Sequence, residues 1–186
     1  MSTIIGIDEA GRGPLAGPVV AAAVCIPKKF NTSGITDSKK VSPKKREELY
    51  LRIMKECQVG IGIINPEEID NSNILKATLQ AMKLACEKLA ICYDLALVDG
   101  NQCPEIKNCR CIIKGDEKFI QISAASIIAK VYRDRIMNDL AIQFPNYDFE
   151  KHKGYGTSSH LKALNVYGPI EGVHRFSFSP VRKLLI

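Results

Sequence analysis

Four acids stand where they could act together. Asp8 and Glu9 close the apolar run Thr3-Ile-Ile-Gly-Ile-Asp8, Asp99 closes Leu95–Asp99, and Asp116 follows Cys111–Lys114 in the turn Gly115-Asp116. A single acid at a strand end ordinarily caps a turn or pairs with a surface Lys. Several such acids, each where an apolar strand gives way to a loop, fit a shared site, because open α/β sheets gather ligand sites where loops converge at strand ends. Clustered carboxylates repel and raise one another's pKa, and a divalent cation removes that conflict. Mg²⁺ and Mn²⁺ prefer carboxylate and water oxygens. Two such ions roughly 4 Å apart can activate a water and stabilise the leaving oxygen of a phosphodiester. That chemistry needs no covalent nucleophile, and the sequence contains no P-loop, G-x-S-x-G or H-E-x-x-H. The four acids are therefore candidate ligands of a divalent cation, Mg²⁺ or Mn²⁺.

Asp8 and Glu9 pose a geometric problem, since neighbours on a regular strand point to opposite faces. Both reach one site only if the strand ends or bulges at Glu9, and Gly11 and Gly13 favour that. Gly11-Arg12-Gly13 lets backbone N–H and C=O groups approach a ligand without a Cβ in the way. Such a backbone can read a 2′-hydroxyl, the group that separates RNA from DNA; the alternative is a plain hairpin turn.

The elements that must position these residues are legible as apolar patterns. Thr3–Asp8 and Val19–Ile26 read as an antiparallel hairpin around a Gly/Pro-rich turn. Ser42-Pro43 starts a helix carrying Leu49, Tyr50, Ile53, Met54 and Cys57 at helical spacing. Val59–Ile64 is a third strand, and Leu75, Leu79, Met82, Cys86 and Leu89 mark an amphipathic helix. After the strands Leu95–Asp99 and Cys111–Lys114, a long helix runs from Ser123 to Phe144, with Ile128, Tyr132, Ile136 and Leu140 at four-residue steps and Pro145 closing it. The tail from Lys151 suggests short helices and loops. This order predicts an α/β fold, a mixed sheet with helices on its faces.

The chain has 186 residues and a formal charge of +6, which favours a polyanionic partner. Lys28, Lys29, Lys39, Lys40, Lys44, Lys45 and Arg46 share one stretch with a single acid, Asp37; a solvated helix start and loop is the competing account. The seven Cys are scattered: Cys25, Cys57, Cys86 and Cys92 lie in apolar runs, while Cys103, Cys109 and Cys111 cluster without a C-x-x-C pair. Reduced thiols are expected, with zinc as the alternative for the cluster. His152, His160 and His174 lack ligand spacing and read as hydrogen-bonding loop residues. No membrane span or signal peptide is evident, so a cytoplasmic protein is expected.

The run Gly6-Ile-Asp-Glu-Ala-Gly-Arg-Gly-Pro14 resembles the signature of ribonuclease HII. So do Asp37-Ser-Lys-Lys40, Val98-Asp-Gly-Asn101, Lys114-Gly-Asp116, Ile122–Val131 with Arg133-Asp134, His152-Lys-Gly-Tyr-Gly-Thr157 with His160, His174-Arg175 and Ser177-Phe178. The blocks cover nearly the whole chain in the family's order. The resemblance implies an RNase H-like mixed five-stranded sheet flanked by helices, with residues 1–145 as catalytic core and 146–186 as a small helical C-terminal part packed on it. It implies metal binding and catalysis by Asp8, Glu9, Asp99 and Asp116. Gly11, Arg12 and Gly13 would contact the 2′-hydroxyl and phosphate, and Tyr155 would stack on the deoxyribose beyond the last ribonucleotide. Lys39, Lys40, Lys130 and Arg133 are candidate phosphate contacts, although Lys130 also stands four residues before Asp134, where an intrahelical pair competes. The implied activity is endonucleolytic cutting of RNA–DNA hybrids and of DNA duplexes containing ribonucleotides, by a monomer, without an N-terminal extension of the ribonuclease HIII kind.

Overall fold

The computed structural model describes residues 2–36, 38 and 41–185. Asp37, Lys39 and Lys40, and with them two of the candidate phosphate contacts, lie outside the described residues.

The first strand, β1 (Ile4–Ala10), pairs antiparallel with β2 (Val19–Cys25), and β2 pairs antiparallel with β3 (Gln58–Ile64). On its other edge β1 runs parallel to β4 (Leu95–Asp99), which is parallel to β5 (Cys109–Ile112). The five-stranded sheet therefore has the order β3-β2-β1-β4-β5. Both faces are covered, so β2 is apolar throughout rather than alternating.

Helix α1 (Pro43–Glu56) begins at the Ser42 cap, whose hydroxyl accepts from the Lys45 N–H. A short helix, α2 (Pro66–Asp70), precedes α3 (Ile74–Leu89). Helix α3 covers one sheet face through Ala77, Ala81, Met82 and Ala85, packed on Ile5, Ile7, Ala21, Ala96 and Val98. The opposite face, with Ala22 and Val24, is covered by α1 and by α4 (Ile120–Gln143). Gly6 permits this close packing: a Cβ there would run into the backbone of Gln121 and Ile122 in the first turn of α4.

The tail forms three further helices, α5 (Phe149–His152), α6 (Ser158–Tyr167) and α7 (Ser179–Arg182). Phe149, Leu164, Val173 and Val181 pack with Leu15 and Ala16 of the β1–β2 loop and with Met137 and Ala141 of α4. The tail is thereby fastened under the loop that follows β1.

Several sequence expectations shift. The fifth strand is Cys109–Ile112, two residues earlier than expected, because Lys114 takes a left-handed conformation (φ 54°) and starts a 3-10 turn, Gly115–Glu117. Helix α4 begins at Ile120, and its buried stripe beyond Val131 is Arg133, Met137 and Ala141 rather than Tyr132, Ile136 and Leu140. Among the described residues no helix is long and apolar enough to cross a membrane.

Candidate functional site

The pairing of β1 with β4 stops at Ile7 and Val98, whereas its pairing with β2 continues to Ala10. The strand neither ends nor bulges at Glu9, contrary to the sequence expectation. The register instead places Asp8 opposite Ala22 on the α4 face and Glu9 opposite Ala21 on the α3 face. The two side chains reach one place because β4 has parted from β1 there. Asp99, the last residue of β4, closes the gap. Asp8, Glu9 and Asp99 line a hollow of about 440 Å³ together with Gly11, Arg12, Gly13, Ser38, Ser126, Lys130 and Tyr155.

The acids are in electrostatic conflict. Asp8 is only 5% exposed, and burial, then Glu9, then Asp99 raise its pKa well above the ordinary carboxylate value. Two hydrogen bonds oppose the rise, one from Ser126 and one from the Glu9 N–H, the latter at 2.7 Å. Glu9 is raised by burial; the Arg12 guanidinium, 3.4 Å away, opposes that, and Asp99 adds to it. Asp99 is oriented by the Gly115 N–H, which donates to its Oδ1 at 2.6 Å. Asp116 follows in the same 3-10 turn and is buried, and its carbonyl accepts from the Ser123 hydroxyl at 2.7 Å. It adjoins the residue that holds Asp99 but is not among the hollow's lining residues.

Sequence reasoning missed Ser126 and Ser38. Ser126 Oγ lies 2.9 Å from Ser38 Oγ, both buried, and the Ser38 carbonyl accepts from Arg46 Nε at 2.8 Å. Since Ser126 gives its proton to Asp8, Ser38 must donate to Ser126. Both serines lie inside family-like motifs, but a small polar residue in an apolar run gives no local sign of its partner.

The loop after β1 is held by two buried arginines. Arg175, fully buried, donates to the carbonyls of Gly11 (2.6 Å), Arg12 (3.0 Å) and Gly17 (2.8 and 3.0 Å). Arg133, 1% exposed, donates to Ala16, Pro18 and Lys153 at 2.9–3.0 Å. Burial lowers them to about 9 and about 10, so both stay cationic at neutral pH. Arg133, a candidate phosphate contact from the sequence, lines the hollow, and each of its three nitrogens donates to a backbone carbonyl, so it braces the loop. Gly11 has φ 96°, and a Cβ on it would collide with Arg133, so this turn requires glycine. The carbonyls of Gly11 and Arg12 are occupied by Arg175, which leaves their loop to present mainly N–H groups to a ligand.

Lys130 lines the hollow while its Nζ pairs with Asp134 at 2.8 Å, so the intrahelical pair is formed. Tyr155 stands opposite the glycines, its Cε1 3.5 Å from where a Gly13 Cβ would sit, and it is 46% exposed. Its backbone is fixed by histidines: its N–H donates to the His152 carbonyl and its carbonyl faces His160 Nδ1 at 3.0 Å. His160 Nε2 lies 3.1 Å from His174 Nε2, and the His152 and His160 rings stack at 4.5 Å. The three histidines hydrogen-bond as expected, but as a buried platform beneath Tyr155 rather than as separate loop residues.

Comparison with known proteins agrees with this arrangement. Residues 5–181 match the family model described as Ribonuclease HII. A ribonuclease HII of Chlamydia caviae is 48% identical over 99% of this chain and 87% of its own length. The ribonuclease H2 structure from Pyrococcus horikoshii superposes with a TM-score of 0.83 at 26% identity, covering 98% of this chain and 96% of that one. The ribonuclease HII of Archaeoglobus fulgidus, solved in a complex with PCNA, gives 0.80 at 28% identity over 95% of each chain. A shared RNase H-like sheet, agreement from β1 to α7 and near-half identity to a curated relative lead to one conclusion: the chain belongs to the ribonuclease HII family and so to the ribonuclease H hydrolases.

Proposed function

We propose that this protein hydrolyses the RNA strand of RNA–DNA hybrids and cuts on the 5′ side of ribonucleotides embedded in duplex DNA, leaving a 5′-phosphate and a 3′-hydroxyl. The observation that carries this reading is the shared hollow, where three carboxylates face a glycine loop and a half-exposed tyrosine. The donor set suits Mg²⁺ or Mn²⁺, since it offers hard carboxylate oxygens. The pKa values of Asp8 and Glu9 are both raised, first by burial and then by neighbouring carboxylates (Glu9 and Asp99 for Asp8, Asp99 for Glu9), and bound cations relieve that cost. Asp8, Glu9 and Asp99 would hold them, with Asp116 as a further ligand or an organiser of the leaving side. When bound, a pair of ions supplies an activated water and stabilises the departing oxygen.

The chain's own residues do the rest. The N–H groups of the Gly11-Arg12-Gly13 loop, stiffened by Arg175, meet the ribose 2′-hydroxyl and its phosphate. The Tyr155 ring tests the next sugar, because an added 2′-hydroxyl would disturb a flat contact. Lys130 is close enough to exchange Asp134 for a phosphate, and Lys39 and Lys40 remain candidate phosphate contacts. Residues 146–186 act with residues 1–145 as one unit, since Tyr155 and Arg175 both serve the site. The enzyme acts as a monomer in the cytoplasm.

The test is a labelled DNA duplex carrying one ribonucleotide, incubated with and without Mg²⁺, with the cut mapped. Mg²⁺-dependent cleavage 5′ of the ribonucleotide is expected. Cleavage confined to long hybrids would indicate an enzyme directed at RNA stretches, and binding without cleavage would indicate a silent hybrid-binding module.

A further inference from the structure

Cys103, Cys109 and Cys111 lie outside the machinery described above. Cys109 and Cys111 are two residues apart on β5, so their side chains leave the same face of the strand. They pair with Ala96 and Val98 of β4, which belong to the layer beneath α3. Cys103, on the loop leaving β4, approaches that face. Its Cα is 6.2 Å from that of Cys109, to which it is joined as a disulfide, and all three sulfurs lie within 4.8 Å of one another. Among the described residues no other three His, Cys, Asp or Glu side chains bring ligand atoms so close together. Cys103 lines a hollow with Lys76, Lys83 and Glu87 of α3 and with Glu105, which pairs with Lys83 at 3.6 Å.

We propose that the reduced cluster is a binding site for a soft d10 cation, Zn²⁺ being the physiological case, held by the thiolates of Cys103, Cys109 and Cys111. The Cys103–Cys109 disulfide is its oxidised, metal-free form. Zinc–sulfur bonds of about 2.3 Å in a tetrahedral arrangement put the sulfurs about 3.8 Å apart, inside the observed limit. Assembly then needs little more than opening of the S–S bond. A low-molecular-weight thiol does this by exchange: one thiolate attacks a sulfur, a second displaces the mixed disulfide, and the reductant leaves as its own disulfide. Cys103 and Cys109 each gain a proton. Zinc binding then displaces three thiol protons, overcoming the burial that pushes the Cys111 thiol up. A water or a small thiol completes the fourth position. Sulfur donors here and oxygen donors at the acids keep the two sites selective for different ions.

The full chain, reduced with a phosphine, desalted and titrated with Cd²⁺, provides the test. Cadmium thiolates absorb in the ultraviolet by sulfur-to-metal charge transfer, whereas carboxylate complexes do not. One equivalent of Cd²⁺ should develop the band in the reduced protein and none in the unreduced protein. Cys103→Ser, on a loop, and Cys111→Ser, on β5, should each weaken binding at least tenfold while melting like the wild type. Cys57→Ser and Asp99→Asn should leave the band unchanged. A reduced wild-type protein without the band, or an undiminished band in Cys111→Ser, would overturn the proposal.

Discussion

Replacing Ser126 with Ala removes one buried oxygen from α4 and tests how the acids are tuned. Ser126 donates to Asp8 and accepts from Ser38, whose carbonyl is anchored by Arg46. Burial, Glu9 and Asp99 all raise Asp8, and the Ser126 hydrogen bond works against them. Without it, Asp8 is harder to ionise at any given pH, so the acid limb of the rate profile should move upward in pH. A hydrogen bond to an ionised carboxylate is worth about 1.5–3 kcal/mol, or roughly 10- to 150-fold in an equilibrium. In a site that must hold a cation, this loss should appear as weaker metal binding. Initial rates on a single-ribonucleotide duplex, measured across a Mg²⁺ titration, should show half-saturation raised by about 10- to 100-fold, with the saturated rate within a few-fold of wild type. Ser38→Ala should shift the titration in the same direction but less, since it removes only the donor behind Ser126. An unchanged Mg²⁺ dependence in a normally melting Ser126→Ala protein would refute this reasoning.

The other predictions concern the scaffold and the partner. Arg175→Leu removes the donor from the buried carbonyls of Gly11 and Gly17, at about 1–3 kcal/mol each, and from the part-buried carbonyl of Arg12, a large share of a typical stability of about 5–15 kcal/mol. Denaturant melts should show a loss of at least about 3 kcal/mol, and a change below about 1 kcal/mol would contradict the bracing role. His160 and His174 are pushed down to about 4 by burial, against an ordinary 6.5. The unfolded chain therefore binds more protons between those values, so this contribution is complete above pH 6.5 and is lost as pH falls toward 4. One such histidine is worth about 3 kcal/mol at 1.36 kcal/mol per pH unit. The raised Asp8 and Glu9 act in the opposite sense, so urea midpoints should be followed in an Asp8→Asn, Glu9→Gln background; a flat profile from pH 6.5 to 4.5 would count against a buried neutral pair. Duplex binding by an inactive variant should weaken log-linearly with salt, and a flat titration would count against a phosphate-binding surface.

Much of the site could be read from the sequence because its signal is local. An apolar run ending in acid marks Asp8 and Asp99, and Ser42-Pro43 marks the start of α1. What escaped depends on distant partners. Arg133 suggested a phosphate contact because its charge is visible in the sequence, whereas the carbonyls of Ala16 and Pro18 that it braces lie more than 110 residues away. Arg175 had a place in a motif but no role, since its acceptors follow β1. The bulge expected at Glu9 proved unnecessary: early parting of β4 does the same work, and a strand's own residues do not record where its neighbour leaves. The three histidines lacked ligand spacing because they serve one another and Tyr155 rather than an ion. The Cys103–Cys109 bond likewise departs from the expected reduced thiols, since only the fold brings the loop over β5.

Asp99→Asn addresses the central claim most directly. The amide oxygen can still accept from the Gly115 N–H that Asp99 Oδ1 now binds, so the fold should persist while one anionic ligand is lost. Cleavage of a duplex bearing a single ribonucleotide in Mg²⁺, with circular dichroism and melting recorded in parallel, should show a native fold and no detectable product. A folded Asp99→Asn protein turning over at near wild-type rate would contradict a metal-holding carboxylate cluster.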